Sequence, residues 1–463
     1  MKKRIVILLI LVFVVIVGVL IATGCQDKKE ETGEISATYD IFCALDDENK
    51  VLYVTTNITL ENEGEVAVCA LPLYLYANAY GKGDNVEVGN VKVDNHEVDF
   101  SIDGINMLVN LETPLEGGES TTLITSCRVS VLEGEGRLGY GEGYYNLHAF
   151  FPRLAYYDGE KFEIVPYYKM GDPFLFSMDD FNIRMEYPLG YTLGHSGRLI
   201  SEEIGELTKM SQISISDARD VAFSLAKDFA CHEDEVSGIK IKEYTRGEDN
   251  HVEFIGKCLT YFQEEIGDYP YDTFTIAILP FEEGGMEYSS YVLVSEQFKD
   301  KEYAIAHEII HQWFGLSIGS NGYTESWVDE SLTNFLTYYY MDIYKGGIYE
   351  DSIKREKEVM NKFIESMKKE YGDSYKPELR RSLNEFNGRV EYACVVYGYG
   401  VITYDGIMKS VGEKKFKKAL EKYYKEYTGK VVSEEKLIES FSSTLGKGVG
   451  KLFKSYLECK VVF

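Results

Sequence analysis

The sequence predicts a multidomain protein: an N-terminal all-β domain of sandwich or saddle type, followed by a mostly helical α+β domain. Two observations predict this division. From about residue 37 to 235, short runs rich in β-branched and aromatic residues are broken by turn residues at intervals of roughly ten. After about 236, apolar residues recur at helical spacing through most of the chain. The 463 residues supply more than one hydrophobic core.

In the first region, Val51 to Leu60 follows the turn-like Asp46-Asp47-Glu48-Asn49. Further strand-like runs cover 66–76, 91–102, 120–131 and 181–187. In the second, 239–244 and 273–279 read as strands. Helices are expected over 304–314, 326–344, 351–371, 401–411, 413–427, 433–445 and 448–457. Gly346-Gly347 is a natural stop for the second of these, and Ser433 an N-cap for the sixth. The expected domain limits are 37–235 and 236–463.

Composition narrows the function. With 76 Asp+Glu against 48 Lys+Arg, the formal charge is −28. That excludes a nucleic-acid binder, which needs a basic face for phosphates. Hydrophobic content of 45% excludes a largely disordered chain.

The N-terminus reads as an address. Lys2, Lys3 and Arg4 precede an apolar run from Ile5 to Ala22, and Thr23, Gly24 and Cys25 follow. Ala22-Thr23-Gly24-Cys25 resembles a bacterial lipoprotein processing site, which implies a signal peptide over 1–24 and lipidation of Cys25. An uncleaved helical anchor is the alternative, since the apolar run is long enough to span a bilayer. Both place the rest of the chain at the cell membrane, facing outside the cytoplasm. The polar residues 26–36 read as a tether. Besides Cys25 there are seven widely spaced cysteines without a C-x-x-C pair, so a zinc ribbon is absent. Cys231 and Cys258 are a candidate disulfide, and scattered buried thiols the alternative.

The chemistry gathers at His307-Glu308-Ile309-Ile310-His311. On a helix, positions i and i+4 share a face, so both imidazoles can hold one ion. Glu308, one step round, can reach a water bound to that ion. Two histidines and a glutamate among Ala304, Ile305, Ala306, Trp313 and Phe314 would be costly to bury unpartnered, which favours metal over coincidence. A catalytic zinc needs a third protein ligand. Glu330, early in the next helix and flanked by Trp327, Val328 and Leu332, is the candidate.

This motif, followed by 18 residues and a Glu, resembles the gluzincin aminopeptidases, the aminopeptidase N family. Gly284-Gly285-Met286-Glu287-Tyr288 resembles that family's exopeptidase motif, usually Gly-Ala-Met-Glu-Asn. Tyr397-Gly398-Tyr399-Gly400 resembles its Tyr-x-x-Gly. The resemblance runs over roughly 40–460 and is strongest from 268 to 400. It implies a thermolysin-like catalytic domain holding one Zn²⁺ through His307, His311 and Glu330. It further implies Glu308 as general base and Tyr397, with Tyr399 as rival, stabilising the oxyanion. Gly284, Gly285, Met286 and Glu287 would bind substrate, Glu287 through its free α-ammonium. Asp329 would orient a zinc histidine.

Three departures accompany the resemblance. Tyr288 stands where Asn is usual, so the nearest subsite is expected to differ. A second β-domain group on the substrate amine is not matched; Glu142 and His148 are candidates. The chain ends at Phe463 without the further domains of larger relatives, so a more open cleft is expected. The expected function is a membrane-tethered, extracytoplasmic zinc aminopeptidase acting on peptides. A zinc endopeptidase on the same fold and an inactive surface-binding lipoprotein are the alternatives.

Overall fold

The structure, a computed structural model, describes residues 35–461. The signal segment, Cys25 and the tether up to 34 lie outside the described residues. Ile35 and Ser36, expected to end the tether, open the first strand, Ile35–Asp46. The reason is their alternation: Ile35, Ala37, Tyr39, Ile41, Cys43 and Leu45 are buried and the residues between them are not.

That strand lies mid-sheet in eight strands ordered Arg198–Ile204, Thr208–Ala218, Asp179–Pro188, Ile35–Asp46, Val51–Asn62, Ser120–Ser130, Val86–Val93 and His96–Glu97. Pairing is antiparallel except between Ile35–Asp46 and Asp179–Pro188. The run expected over 91–102 is divided, because Asp94 and Asn95 adopt positive φ (49° and 68°) and form a tight hairpin turn. A five-stranded, a four-stranded and a two-stranded sheet complete the domain.

A second five-stranded sheet takes its first strand from the N-terminal side of residue 236. Ala230–Val236 pairs with Ile239–Thr245 through a turn at Ser237 and Gly238, both at positive φ. The sheet order is Ala230–Val236, Ile239–Thr245, Thr273–Leu279, Tyr291–Ser295, Gly285–Tyr288. Its central three strands are parallel. Parallel neighbours need a crossover, and helix α1 (Val252–Glu265) supplies the first. Gly285–Tyr288 is an antiparallel edge strand.

The helices follow: α2 (Lys301–Ile310), α3 (Ser326–Lys345), α4 (Tyr349–Tyr371), α5 (Gly400–Val411), α6 (Glu413–Tyr427), α7 (Glu434–Leu445) and α8 (Lys447–Leu457). Helix α2 begins three residues before its expected start because the Asp300 carboxylate caps it, accepting from the Tyr303 N–H at 3.2 Å. Ile305, Ile309, Trp313, Trp327, Leu332 and Phe335 are wholly buried and lock α2 against α3.

The two domains share a core in which Ala222, Ala226 and Ala277 let Tyr144, Tyr288 and Tyr291 pack closely. Arg219, from the β domain, bolts the junction. Its Nε donates to the Leu316 carbonyl at 2.8 Å, its Nη2 to that of Lys430 at 3.3 Å, and its Nη1 to that of Phe176. The loop leaving the His-Glu motif is thereby fixed to the other domain. All seven cysteines among the described residues are free. Cys231 is exposed on an edge strand and Cys258 is buried in α1, so the candidate disulfide does not form.

Candidate active site

Helix α2 turns its apolar side into the core and leaves His307, Glu308 and His311 facing a cavity of about 490 Å³ between the domains. Glu330, one turn into α3, faces them from the neighbouring helix. His307 Nε2 and His311 Nε2 are 3.1 Å apart, and the Glu330 carboxylate lies 3.3 and 3.4 Å from them. Donors about 2.0–2.1 Å from a tetrahedral zinc are separated by about 3.3 Å, so this triangle fits that ion. Burial raises the Glu330 carboxyl, yet the hydrogen bonds and charges of the two histidines hold it below the usual carboxylate range.

The other ring nitrogens are engaged behind the triangle. His311 Nδ1 bonds the Phe314 carbonyl at 3.0 Å and forms an ion pair with Asp329 at 2.7 Å. His307 Nδ1 meets the Thr337 hydroxyl at 3.5 Å. A proton held on Nδ1 leaves the Nε2 lone pair free for a metal. The expected orienting role of Asp329 matches this geometry.

Glu308 stands outside the triangle. Glu287, Glu308 and His311 also converge, with one donor atom each within 4.8 Å of the others. Burial, and then the charges of Glu330 and Asp172, push the Glu308 carboxyl up to about 8 despite the opposing pull of His311. A cation beside this crowd of buried carboxylates relieves both effects.

The glycine pair now has a physical reason. A Cβ on Gly285 would lie 2.3 Å from Glu308 Oε1. Gly285→Ala should therefore shift the flexible end of the Glu308 side chain and lower kcat by about tenfold, with zinc content unchanged. A near-wild-type kcat would show that Glu308 tolerates displacement.

Strand alternation sorts the rest of Gly285–Tyr288. Gly285 and Glu287 face the cavity; Met286 and Tyr288 point into the shared core. The expectation that Met286 binds substrate is thus corrected for its side chain. So is the expectation that Tyr288 reshapes the nearest subsite: its ring packs on His148 at 4.8 Å and on Tyr291 at 6.1 Å. Gly284 also lines the cavity.

Tyr397 lies in a π-helical stretch, Ala393–Tyr399, a wider turn that recurs at functional sites. It lines the cavity with its ring 5.8 Å from His307. Burial, then the nearby Glu330, keep its phenol protonated. Two residues on, Tyr399 points elsewhere and donates to the Tyr456 carbonyl at 2.8 Å. Gly400 lets this segment press on α3, since a Cβ there would lie 2.1 Å from Ser331 Oγ, beside Glu330.

Neither β-domain candidate reaches the cavity. Glu142 is exposed in a turn, and His148 is buried with Nε2 2.6 Å from Asp220. The β domain instead contributes Met170, Gly171 and Asp172. Asp172 pairs with Arg137, whose Nη2 also donates to Glu283 at 2.7 Å. Sequence reasoning missed both residues, which no motif marks.

Helix, triangle and flanking carboxylate define the site class: that of a zinc metallopeptidase of the HExxH type. Residues 251–456 match the family described as Peptidase family M1 domain. Among curated relatives, the Tricorn protease-interacting factor F2 of Thermoplasma volcanium is 25% identical over 161 residues, 33% of this chain and 19% of that protein. Aminopeptidase O of Mus musculus is 30% identical over 89 residues, 18% of this chain and 11% of that protein. The matches thus span a fifth or less of those relatives. The crystal structure of M1 zinc metallopeptidase from Deinococcus radiodurans has the same fold, with TM-score 0.72 and 14% identity, covering 93% of this chain and 95% of that one.

Proposed function

We propose that the protein is a membrane-tethered, extracytoplasmic zinc aminopeptidase that removes N-terminal residues from peptides. The observation that carries this reading is the placement of Glu287: a buried carboxylate on the cavity wall, beside Glu308 and His311. A zinc ion held by His307, His311 and Glu330 would supply Lewis acidity to the attacking water and the scissile carbonyl. Glu308 then accepts the proton of that water and returns it to the leaving amine. The Tyr397 hydroxyl donates to the oxygen on which charge develops. Glu287 pairs with the α-ammonium, so the chain is measured from its free end. The edge strand that carries Glu287 offers main-chain hydrogen bonds to an extended peptide. A structure of the same fold is described as bound to a Tyr-Ser-Ala substrate, which supports a peptide occupant.

Glu287→Gln tests the reading. Hydrolysis of free-amine peptides should fall by about 100-fold, the scale of one lost buried charge pair. Their N-acetylated twins should change little. Equal losses on both would make Glu287 structural.

The tether rests on the basic head, the apolar run and Ala22-Thr23-Gly24-Cys25. Cys25→Ala should move the protein out of the lipid-modified membrane fraction, read by incorporation of labelled palmitate. Label retained in that variant would contradict lipidation at Cys25.

A further inference from the structure

The aminopeptidase reading constrains where the substrate's first side chain lies. The ammonium nitrogen and Cβ are bonded to the same Cα, about 2.5 Å apart. A substrate anchored on Glu287 therefore places that side chain against the groups flanking Glu287. Asp172 and Glu283 line the same cavity as Glu287; Arg137 Nη2 holds the two together, and Glu283 directly precedes the glycine pair that leads to Glu287.

The charge balance here is specific. Six carboxylates line the cavity: Asp172, Glu282, Glu283, Glu287, Glu308 and Glu330. The last three are committed to the ammonium, the proton and the metal. Two guanidiniums face the remaining three. Arg137 is buried and offers one nitrogen, Nη2, to Asp172 and Glu283 together, while its Nη1 has no partner. Arg389 lies 4.0 Å from Glu283 and is mostly exposed, so its attraction is screened by water. Three carboxylates against two guanidiniums leave anionic charge in excess around Asp172 and Glu283. Met170 and Tyr392 flank it with apolar surface, suited to the aliphatic stem of a long side chain.

We propose that this part of the cavity is a subsite for a cationic first residue, lysine or arginine, with Asp172 and Glu283 as its carboxylate partners. The inference rests on the aminopeptidase reading and adds a substrate class to it. The carboxylates come from different domains, and Arg137 is the positioning residue that sets their separation.

The test compares full-length protein on two peptides identical except for an N-terminal arginine or citrulline. Citrulline keeps the shape and loses the charge. A hydrogen-bonded charge contact predicts kcat/KM about tenfold or more higher for arginine. The ratio should fall with added salt. Asp172→Asn and Glu283→Gln should each bring it towards unity. A ratio near unity in the wild type, or one unchanged in both variants, overturns the inference. Equal losses on both peptides in Asp172→Asn would move Asp172 to the α-ammonium and overturn its assignment.

Should a variant fail to fold, free arginine and free citrulline are compared as inhibitors of the wild type. Stronger inhibition by arginine supports the subsite, and equal inhibition overturns it. The two readings fail differently. Cleavage of both peptides at one rate removes only the cationic preference, whereas cleavage of neither removes the aminopeptidase reading and this inference with it.

Discussion

Glu308→Gln is expected to lower kcat by about 10³-fold, within the range for a lost general base, while zinc content stays at one per chain. The separation of effects follows from position. The metal triangle is His307, His311 and Glu330, and Glu308 lies beside it rather than in it. Glutamine keeps the shape against Gly285 but cannot accept a proton from water. The metal-free protein carries a second signature. Its Glu308 carboxyl is raised to about 8 by burial and then by neighbouring carboxylates. A group raised in the folded state contributes stability that is complete below its unfolded pKa and is lost as pH climbs through the folded value. The wild-type apoprotein should therefore lose stability between about pH 4.5 and pH 8. Glu308→Gln should flatten that slope. Thermal unfolding of both chelated proteins across this range reads it, and identical slopes would contradict the burial of an ionisable Glu308.

Glu330→Ala is the second large effect, and it acts through the metal. The variant removes one corner of a triangle with edges of 3.1 to 3.4 Å. Zinc affinity should fall by more than about 100-fold, beyond the usual cost of losing a mere supporting contact, and turnover should fall with it. Zinc content after dialysis against a weak chelator checks this. Retention of zinc would refute Glu330 as a ligand. Added zinc should restore part of the activity in Glu330→Ala and none in Glu308→Gln, which separates ligand from base.

Much of this site was legible because its parts are local in sequence. Helical spacing alone puts His307 and His311 on one face, and the short loop before α3 returns Glu330 to them. Other features were readable but needed the right period. The alternation of an edge strand sends Glu287 to the cavity and turns Met286 and Tyr288 away. The Ser237-Gly238 turn marks a hairpin that carries Ala230–Val236 into the second sheet. Asp172 and Arg137 were not legible. Asp172 lies in a long irregular segment between strands, where no periodicity assigns a face. Arg137 meets it across 35 positions and Glu283 across 146. Such pairings follow from how the two domains dock, and docking depends on the small residues Ala222, Ala226 and Ala277 of the shared core.

The measurement that bears most directly on the central claim compares one unblocked peptide with its N-acetylated twin, each with and without a zinc chelator, with products identified over time. The account predicts chelator-sensitive release of single residues from the free end of the unblocked peptide, with cleavage of the twin slower by about 100-fold or more. Internal cleavage of both peptides would contradict it, because Glu287 would then not be reading a free amine.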